Sequence, residues 1–193
     1  MPLVFLLRCA QLVAMEFENN LTDGTIIWKA VPISLLVREN QISIAMLFKG
    51  EKMDEIYEFS GEYSFLSNFW PSPIVYEGIE YPTVEHAFQA AKCDDIKTKK
   101  MMAKIPKPGK VKKAGRELHL KPNWEKIKEP IMLDLLRLKF KDPTLRQKLI
   151  DTGDAELIEG NWWNDVYWGV CKGVGENRLG ELLMQVRNEI KGP

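Results

Sequence analysis

One short segment, TVEHAFQAAK at residues 83–92, combines residue types that could carry out covalent chemistry and proton transfer. Its apolar residues recur at helical spacing and predict a helix with one buried face. Glu85, Gln89 and Lys92 lie at positions i, i+4 and i+7, so they share a second stripe. At about 100° per residue that stripe adjoins the apolar one, so the sequence places three polar groups at the edge of the core.

A lysine in such a position loses part of its hydration, which disfavours the charged form and leaves an amine that can act as a nucleophile. A carboxylate on the same stripe can move protons. The pattern also fits an ordinary surface stripe with Glu85 and Lys92 in solvent. His86 is expected to be a satisfied histidine of the core or a supporting group, because no partner lies at metal-ligand spacing.

Two further segments are rich in aromatic residues. YSFLSNFWPSP (63–73) has the composition of a loop that can stack against a ring and hydrogen-bond to it. EGNWWNDVYWG (159–169) places three tryptophans within seven residues, beside Glu159 and Asp165. These tryptophans form either part of the core or a wall against which a ligand stacks.

The elements that must position these residues predict a mixed α and β chain. PIVYEGIEY (73–81) is typical of a tight hairpin, and Thr83 of a helix N-cap. Helices are predicted at 130–140, after the N-cap Asp142, and at 177–190. Short strands are predicted at 56–59, 155–159 and 166–170.

The first 52 residues differ from the rest. The segments 26–37 and 42–48 are typical of two strands, and Pro32 either restricts the first to a sheet edge or splits it. The apolar start lacks the basic residues of a secretory signal. We expect residues 1–52 to be an N-terminal extension, either a strand pair or an addition before a start at Met53, and residues 53–193 to be the catalytic domain.

Composition excludes several classes of protein. The 193 residues carry 27 basic and 27 acidic side chains, so bulk charge does not drive binding to nucleic acid. No apolar run is long enough for a transmembrane helix. Three cysteines without metal-ligand spacing favour a reduced, cytoplasmic protein with no metal and no organic cofactor.

The charge is nevertheless concentrated along the chain. Residues 53–94 hold 1 basic and 8 acidic residues, whereas residues 95–148 hold 17 and 6. The lysine-rich run 97–116 is either a solvated surface or a rim that attracts the phosphate of a small molecule. Arg116 is the one residue in that run with the bidentate geometry that phosphates favour.

The segments FLSNFWPSPI, YPTVEHAFQAAK and WGVCKGVGENRLGELLMQVR, with LKF between them, occur in the order typical of one family. In this combination the chain resembles the NADAR family over about residues 57–189. The resemblance implies an α+β fold, a mainly helical single domain around a small sheet. It also implies an N-glycosidase that cleaves the bond between a base and a (phospho)ribose or ADP-ribose.

The resemblance further implies the site residues. Lys92 matches the lysine that forms a Schiff base, and Glu85 and Asp165 match the acidic residues. The implied substrates are phosphoribosyl intermediates of riboflavin biosynthesis or ADP-ribosylated guanine in nucleic acid. Removal of ADP-ribose from guanine would oppose a partner ADP-ribosyltransferase toxin. The other matched, substrate-binding positions are Phe65, Ser67, Asn68, His86, Gln89, Arg116, Trp168, Gly169 and Asn177.

Other classes of function remain compatible with the sequence. A module could bind ADP-ribose or a nucleotide without cleaving it, the lysines at 97–116 could bind nucleic acid, or the tryptophans could belong only to a structural core. We expect an enzyme if Glu85, Lys92 and Asp165 share one cleft.

Overall fold

The structure is a computed structural model that describes residues 54–192 and, before them, the backbone of three strands. Contacts divide the chain into two units, Met1–Glu51 and Lys52–Pro193. In the first unit, β1 (Val4–Arg8), β2 (Gln11–Asn19) and β3 (Ile26–Pro32) form an antiparallel sheet in that order.

The predicted strand at 26–37 is confirmed for its first seven residues. It is an edge strand, and Pro32 is its last residue. That position suits a residue that has no N–H to donate to a neighbouring strand. The strand predicted at 42–48 lies outside the described residues, and the sequence did not predict β1 and β2.

The second unit alternates short strands with helices. It begins with β4 and a 3-10 helix, and a hairpin then leads into the first α-helix. The elements are β4 (Glu55–Tyr57), the 3-10 helix (Gly61–Leu66), β5 (Ile74–Tyr76), β6 (Ile79–Tyr81), α1 (Val84–Ala90), α2 (Ile96–Ala103), α3 (Pro108–Ala114), α4 (Trp124–Lys139), α5 (Pro143–Asp151), β7 (Glu156–Ile158), β8 (Gly160–Asn161), β9 (Val170–Cys171) and α6 (Arg178–Lys191).

The strands of this unit occur in pairs. β5 and β6 form the predicted hairpin, with Glu77 and Gly78 at φ 48° and 74° as a two-residue turn of the primed type requires. β4 pairs in parallel with β7, and β8 pairs in parallel with β9. The β4–β7 pair joins residues about a hundred positions apart in the sequence, and it leads the chain directly to Glu159.

Helix boundaries follow their capping residues. Thr83 Oγ1 accepts the His86 N–H at the start of α1, and Asp142 Oδ1 accepts the Leu145 N–H at 2.9 Å at the start of α5. Both predicted N-caps are therefore confirmed. The helix predicted from residue 130 begins earlier, at Trp124, because the buried Trp124 extends the apolar face upstream.

The strand predicted at 166–170 is wrong for residues 166–169, which form a turn. Asp165 Oδ1 accepts the Trp168 N–H at 3.0 Å. Asn161 holds the other side of the turn, since its Oδ1 accepts the Asp165 N–H and its Nδ2 donates to the Asp165 carbonyl. These side-chain bonds give the backbone an alternative to a strand.

The core lies around α1, whose Val84, Ala87 and Ala90 have no exposed surface. Helices α2, α3 and α4 contact this helix, and α6 packs against α4 and β7. The predicted α+β class with mostly helical content is confirmed. None of the helices in the described part of the chain is long and apolar enough to cross a membrane.

Candidate active site

A cavity of about 290 Å³ opens between the second half of the 63–73 loop, α1, α3, the start of α4 and the tryptophan-rich segment. Its wall combines aromatic rings with both signs of charge. Of the residues that the sequence predicted, eight line it: Ser67, Asn68, Glu85, Gln89, Lys92, Arg116, Asp165 and Trp168. The three predicted catalytic residues, 85, 92 and 165, therefore lie on one cavity.

The second stripe of α1 faces this cavity. Glu85 and Gln89 are buried, and Gln89 Nε2 donates to Glu85 Oε1 at 2.8 Å. Burial raises the pKa of Glu85, although the positive charge of Lys112, the Gln89 hydrogen bond and Lys92 oppose the shift. A carboxyl with a raised pKa can hold a proton at a pH where an exposed glutamate is ionised.

Lys92 follows the last turn of α1, which ends at Ala90. Its Nζ donates to the Gly115 carbonyl at 3.3 Å. Burial lowers the pKa of Lys92, and Lys112 and Arg116 act in the same direction, whereas Glu85 opposes them. Each of these causes except Glu85 favours the neutral amine, which is the nucleophilic form.

Gly115 allows α1 and α3 to approach each other at this point. A Cβ added there would lie 1.9 Å from Gln89 Oε1 and 2.7 Å from Gln89 Cδ. Since real Cβ atoms do not approach that closely, a larger residue would displace the Gln89 amide that holds Glu85. The glycine therefore keeps Glu85 and Lys92 on the same wall.

The loop after the 3-10 helix supplies Ser67, Asn68 and Phe69. Lys139 holds this loop in place, since its buried Nζ donates to the Ser67 carbonyl at 2.7 Å. Burial lowers the pKa of Lys139 to about 7. The Asn68 carbonyl in turn accepts the Glu85 N–H at 3.0 Å, so the loop is tied to the first turn of α1.

Glu159 is the main residue of the site that the sequence analysis did not assign. It lines the cavity, and burial raises its pKa to about 7, with Asp165 adding to the shift and Lys112 opposing it. Its Oε2 is buried and has no hydrogen-bond partner among the described residues. A carboxyl in this condition is a candidate for proton transfer near neutral pH.

The other wall is aromatic. The rings of Phe88 and Trp168 meet edge to face with centroids 5.4 Å apart, and Trp124 contacts Phe88 at 5.3 Å. All three line the cavity, together with Trp163. The tryptophan-rich segment thus contributes both to the core and to the cavity wall, and the two interpretations left open by the sequence each hold for part of it.

Cations from α3 and α4 complete the lining. Lys128 is engaged, since its Nζ pairs with Glu125 at 2.5 Å and lies 3.5 Å from the centroid of the Tyr167 ring. Lys112 and Arg116 have no carboxylate within salt-bridge distance in the described part of the chain. These two cations are therefore available to an anionic group of a ligand.

Four residues expected to bind substrate lie outside the lining. Phe65 is buried in the core, and the His86 ring is enclosed, with Nδ1 2.7 Å from Thr83 Oγ1 and Nε2 2.8 Å from the Ile105 carbonyl. Asn177 Oδ1 accepts the Glu159 N–H at 3.0 Å, and a Cβ on Gly169 would lie 2.1 Å from the Glu159 carbonyl. Their contacts support the wall of the cavity, and a direct role of these four residues in binding substrate stays a prediction.

Residues 54–192 contain no group of three or more His, Cys, Asp or Glu side chains that could hold a metal ion. What the wall offers instead is hydrogen-bond acceptors. The side-chain oxygens Asn68 Oδ1, Gln89 Oε1 and Glu159 Oε2 are buried without partners in this part of the chain. Such atoms suit a ligand rich in donors, for example the hydroxyls of a sugar.

The fold and the site can be compared with known proteins. The NADAR domain family matches residues 47–191, and the chain belongs to this family. It is 40% identical over 138 residues to the N-glycosidase YbiA of Escherichia coli, covering 69% of this chain and 86% of YbiA. It is also 33% identical to an N-glycosidase of Nostoc punctiforme over 142 residues, 70% of this chain and 90% of that protein.

A riboflavin biosynthesis protein of Vibrio vulnificus is 34% identical over 139 residues, which is 70% of this chain but 38% of that longer protein. The solution structure of E. coli YbiA superposes with a TM-score of 0.64 at 38% identity, covering 72% of this chain and 86% of YbiA. The prediction of an enzyme of the N-glycosidase class, a hydrolase of N-glycosyl compounds, is confirmed by these relatives.

Proposed function

We propose that this protein hydrolyses the N-glycosidic bond between a phosphorylated ribose and a nitrogen base through a Schiff base on Lys92. The observation that carries the proposal is the convergence on one cavity of a partly buried amine and three carboxyl groups that form no salt bridge in the described part of the chain; a fourth carboxyl group, that of Glu125, is paired with Lys128. Glu85, Glu159 and Asp165 supply the carboxyl groups. A nucleophile and proton donors around one cavity are the elements that this reaction class requires.

The reaction begins when an acid protonates the ring oxygen and the C1′–O bond breaks, giving an iminium between C1′ and the base nitrogen. The neutral Lys92 amine adds to C1′. Proton transfer to the base nitrogen lets it leave with the electrons of its bond to C1′, and a protonated imine to Lys92 remains. Water then adds to C1′, and the amine departs as the free sugar aldehyde forms.

The carboxyl groups exchange protons with the ring oxygen, the leaving base and the attacking water. Glu159 is suited to start as the acid, because a pKa of about 7 keeps about half of it protonated at neutral pH and most of it below. Glu85, with its raised pKa, lines the same cavity as Lys92 and interacts with its charge. Lys112 and Arg116 are positioned to bind the phosphate, and Trp168 and Phe88 to contact the base or ribose.

The proposal allows two classes of substrate, which differ in the base that the reaction releases. A product assay should compare a phosphoribosylaminopyrimidine with ADP-ribosylated DNA, measuring the released base by chromatography. Release from either substrate supports glycosidase activity. Binding of both without release would instead support a module that holds the sugar without cleaving it.

The Schiff base has a direct test. Sodium borohydride added during turnover should reduce the imine and leave the sugar on Lys92, where peptide mass spectrometry locates it. Lys92→Arg keeps the charge but cannot form the imine, so we expect no adduct and no base release. Lys112→Arg is the matched control on the same cavity and should still be trapped at residue 92. Undiminished turnover by Lys92→Arg would end the Schiff-base mechanism.

A further inference from the structure

Helix α4 ends on a lysine that the core encloses. Lys139 is 1% exposed and does not line the cavity. Its Nζ donates to the Ser67 carbonyl at 2.7 Å and to the Leu66 carbonyl at 3.4 Å, and no carboxylate lies within salt-bridge distance of it among residues 54–192. A buried ammonium group is costly, and an apolar side chain of similar volume would avoid that cost. Lys139 takes no part in the reaction steps proposed above.

The carbonyls that Lys139 binds belong to the loop that forms one wall of the cavity. Ser67 and Asn68 line the cavity, and the Asn68 carbonyl accepts the Glu85 N–H at 3.0 Å. Helix α4 contacts this loop at a second point, since Asn68 Nδ2 lies 3.5 Å from Met132 Sδ. The ammonium group of Lys139 is therefore held directly behind the wall, in a position that the loop and the helix define together.

From this position the charge of Lys139 acts on Glu159. Burial is the main cause that raises the pKa of Glu159 to about 7, and the charges of Asp165 and Glu58 act in the same direction. The positive charges of Lys112 and Lys139 oppose that rise. The interaction is mutual, since burial lowers the pKa of Lys139 to about 7 while Glu159 opposes the shift. Two cations therefore limit how tightly Glu159 holds its proton.

The two cations differ in their access to a substrate. Lys112 lines the cavity and is positioned to bind the phosphate, whose negative charge would offset its own. Lys139 is enclosed behind the wall, where an anionic ligand cannot reach it. Its charge therefore acts on Glu159 whether or not a substrate is bound, at every pH at which Lys139 keeps its proton.

We infer that Lys139 is a positioning residue that acts through Glu159: held against the Leu66 and Ser67 carbonyls, its ammonium group remains the counter-charge of Glu159 while substrate occupies the cavity. The inference rests on the proposed function, because that function assigns Glu159 the proton transfer. A carboxyl group that must give up a proton and take it back works best when its pKa stays near the operating pH. Without the counter-charge, burial would hold the proton more tightly and slow its release.

Three substitutions of Lys139 separate its charge from its hydrogen bonds. Lys139→Met removes both, Lys139→Gln keeps an N–H donor without the charge, and Lys139→Arg keeps both and stays charged at every accessible pH. We expect the pKa of Glu159 to rise by about one pH unit in the Met and Gln variants. In Lys139→Arg it should stay at or below the wild-type value. Lys126→Met, which removes an exposed lysine of the same helix, is the control and should leave it unchanged.

The titration of Glu159 can be followed without a substrate. Carbon NMR of the full chain with ¹³C-labelled glutamate carboxyl groups records it, and Glu159→Gln identifies the signal by removing it. In the Met and Gln variants one group of the interacting pair is gone, so the observed step belongs to Glu159 itself. The basic limb of the pH profile of kcat/KM for base release should move to higher pH by the same amount. A lysine with a merely structural role would lower kcat/KM at every pH without moving that limb.

An unshifted Glu159 titration in the Met and Gln variants would overturn the inference, and so would an equal upward shift in Lys139→Arg. A shifted titration with an unmoved activity profile would overturn the action of Lys139 on the reaction. Thermal unfolding checks that each variant is folded, and if Lys139→Met does not fold, the comparison of Gln with Arg decides. If the titration shifts as expected but neither the wild type nor any variant releases a base, the counter-charge stands while the proposed function fails.

Discussion

Replacement of Glu159 by glutamine should make the protein more stable and less active. Burial raises the pKa of this carboxyl from 4.5 to about 7. At about 1.36 kcal/mol per pH unit, this difference corresponds to about 3 kcal/mol. The folded protein holds the Glu159 proton more tightly than the unfolded chain, so the free energy of unfolding falls as pH rises from about 4.5 to 7.

In Glu159→Gln, the new amide has nearly the same shape as the carboxyl group that it replaces, and it never ionises. We therefore expect its stability advantage over the wild type to grow by about 3 kcal/mol between pH 4.5 and pH 8, and to change little above that. Catalysis should change in the opposite sense. Loss of a proton donor lowers kcat by roughly 10²–10⁴-fold, so the residue would be retained for function at the expense of stability.

Urea unfolding followed by circular dichroism, repeated from pH 4.5 to pH 8.5, measures the first effect, and base release at pH 7 measures the second. Glu156→Gln is the matched control, since Glu156 lies three residues earlier in β7 and is exposed. It should leave the pH dependence of unfolding unchanged. A difference between Glu159→Gln and the wild type that stays constant across this pH range would refute the reasoning, as would full activity of the variant.

Three further changes test the framework around the site. Gly115→Ala should destabilise the fold by about 1–3 kcal/mol and reduce activity, because its Cβ would collide with the Gln89 side chain. Gly109→Ala, within α3, is the control: its Cβ meets nothing within 4 Å, so the variant should be neutral or stabilising in thermal unfolding. Thr83→Ala should cost about 1 kcal/mol through loss of the α1 cap, and Thr83→Ser should retain most of it. Lys139→Met should abolish the gain in stability that the wild type shows as pH rises above about 7, because a buried lysine with a lowered pKa destabilises the fold only while protonated. An unchanged pH profile for that variant would contradict the assignment of Lys139.

Local patterns determined much of the framework. The period of α1 identified the face that packs into the core and the stripe that carries Glu85 and Gln89, because both depend only on helical geometry. Thr83 and Asp142 were recognisable as caps, since their side chains bond to N–H groups three residues away. Lys92 was placed on the same helix, and although it lies just beyond the helix end it still lines the cavity.

Local patterns failed where side-chain hydrogen bonds to the backbone or packing into the core competes with them. Residues 166–169 have the composition of a strand, but Asp165 Oδ1 accepts the Trp168 N–H, Asn161 holds the backbone of Asp165, and the segment forms a turn. Phe65 was expected in the ligand loop, yet the 3-10 helix turns it into the core and presents Phe69 to the cavity instead.

The sequence by itself determined the family, the hairpin before α1 and the residues on one face of α1, because these follow from short-range spacing and from motifs that can be compared directly. Only the tertiary structure decided which charges meet. The parallel pairing of β4 with β7 and the fixing of the segment after it by Asn177 bring Glu159 to the cavity that α1 lines. Its pKa depends on that burial, and burial is a property of the whole fold that no local pattern encodes.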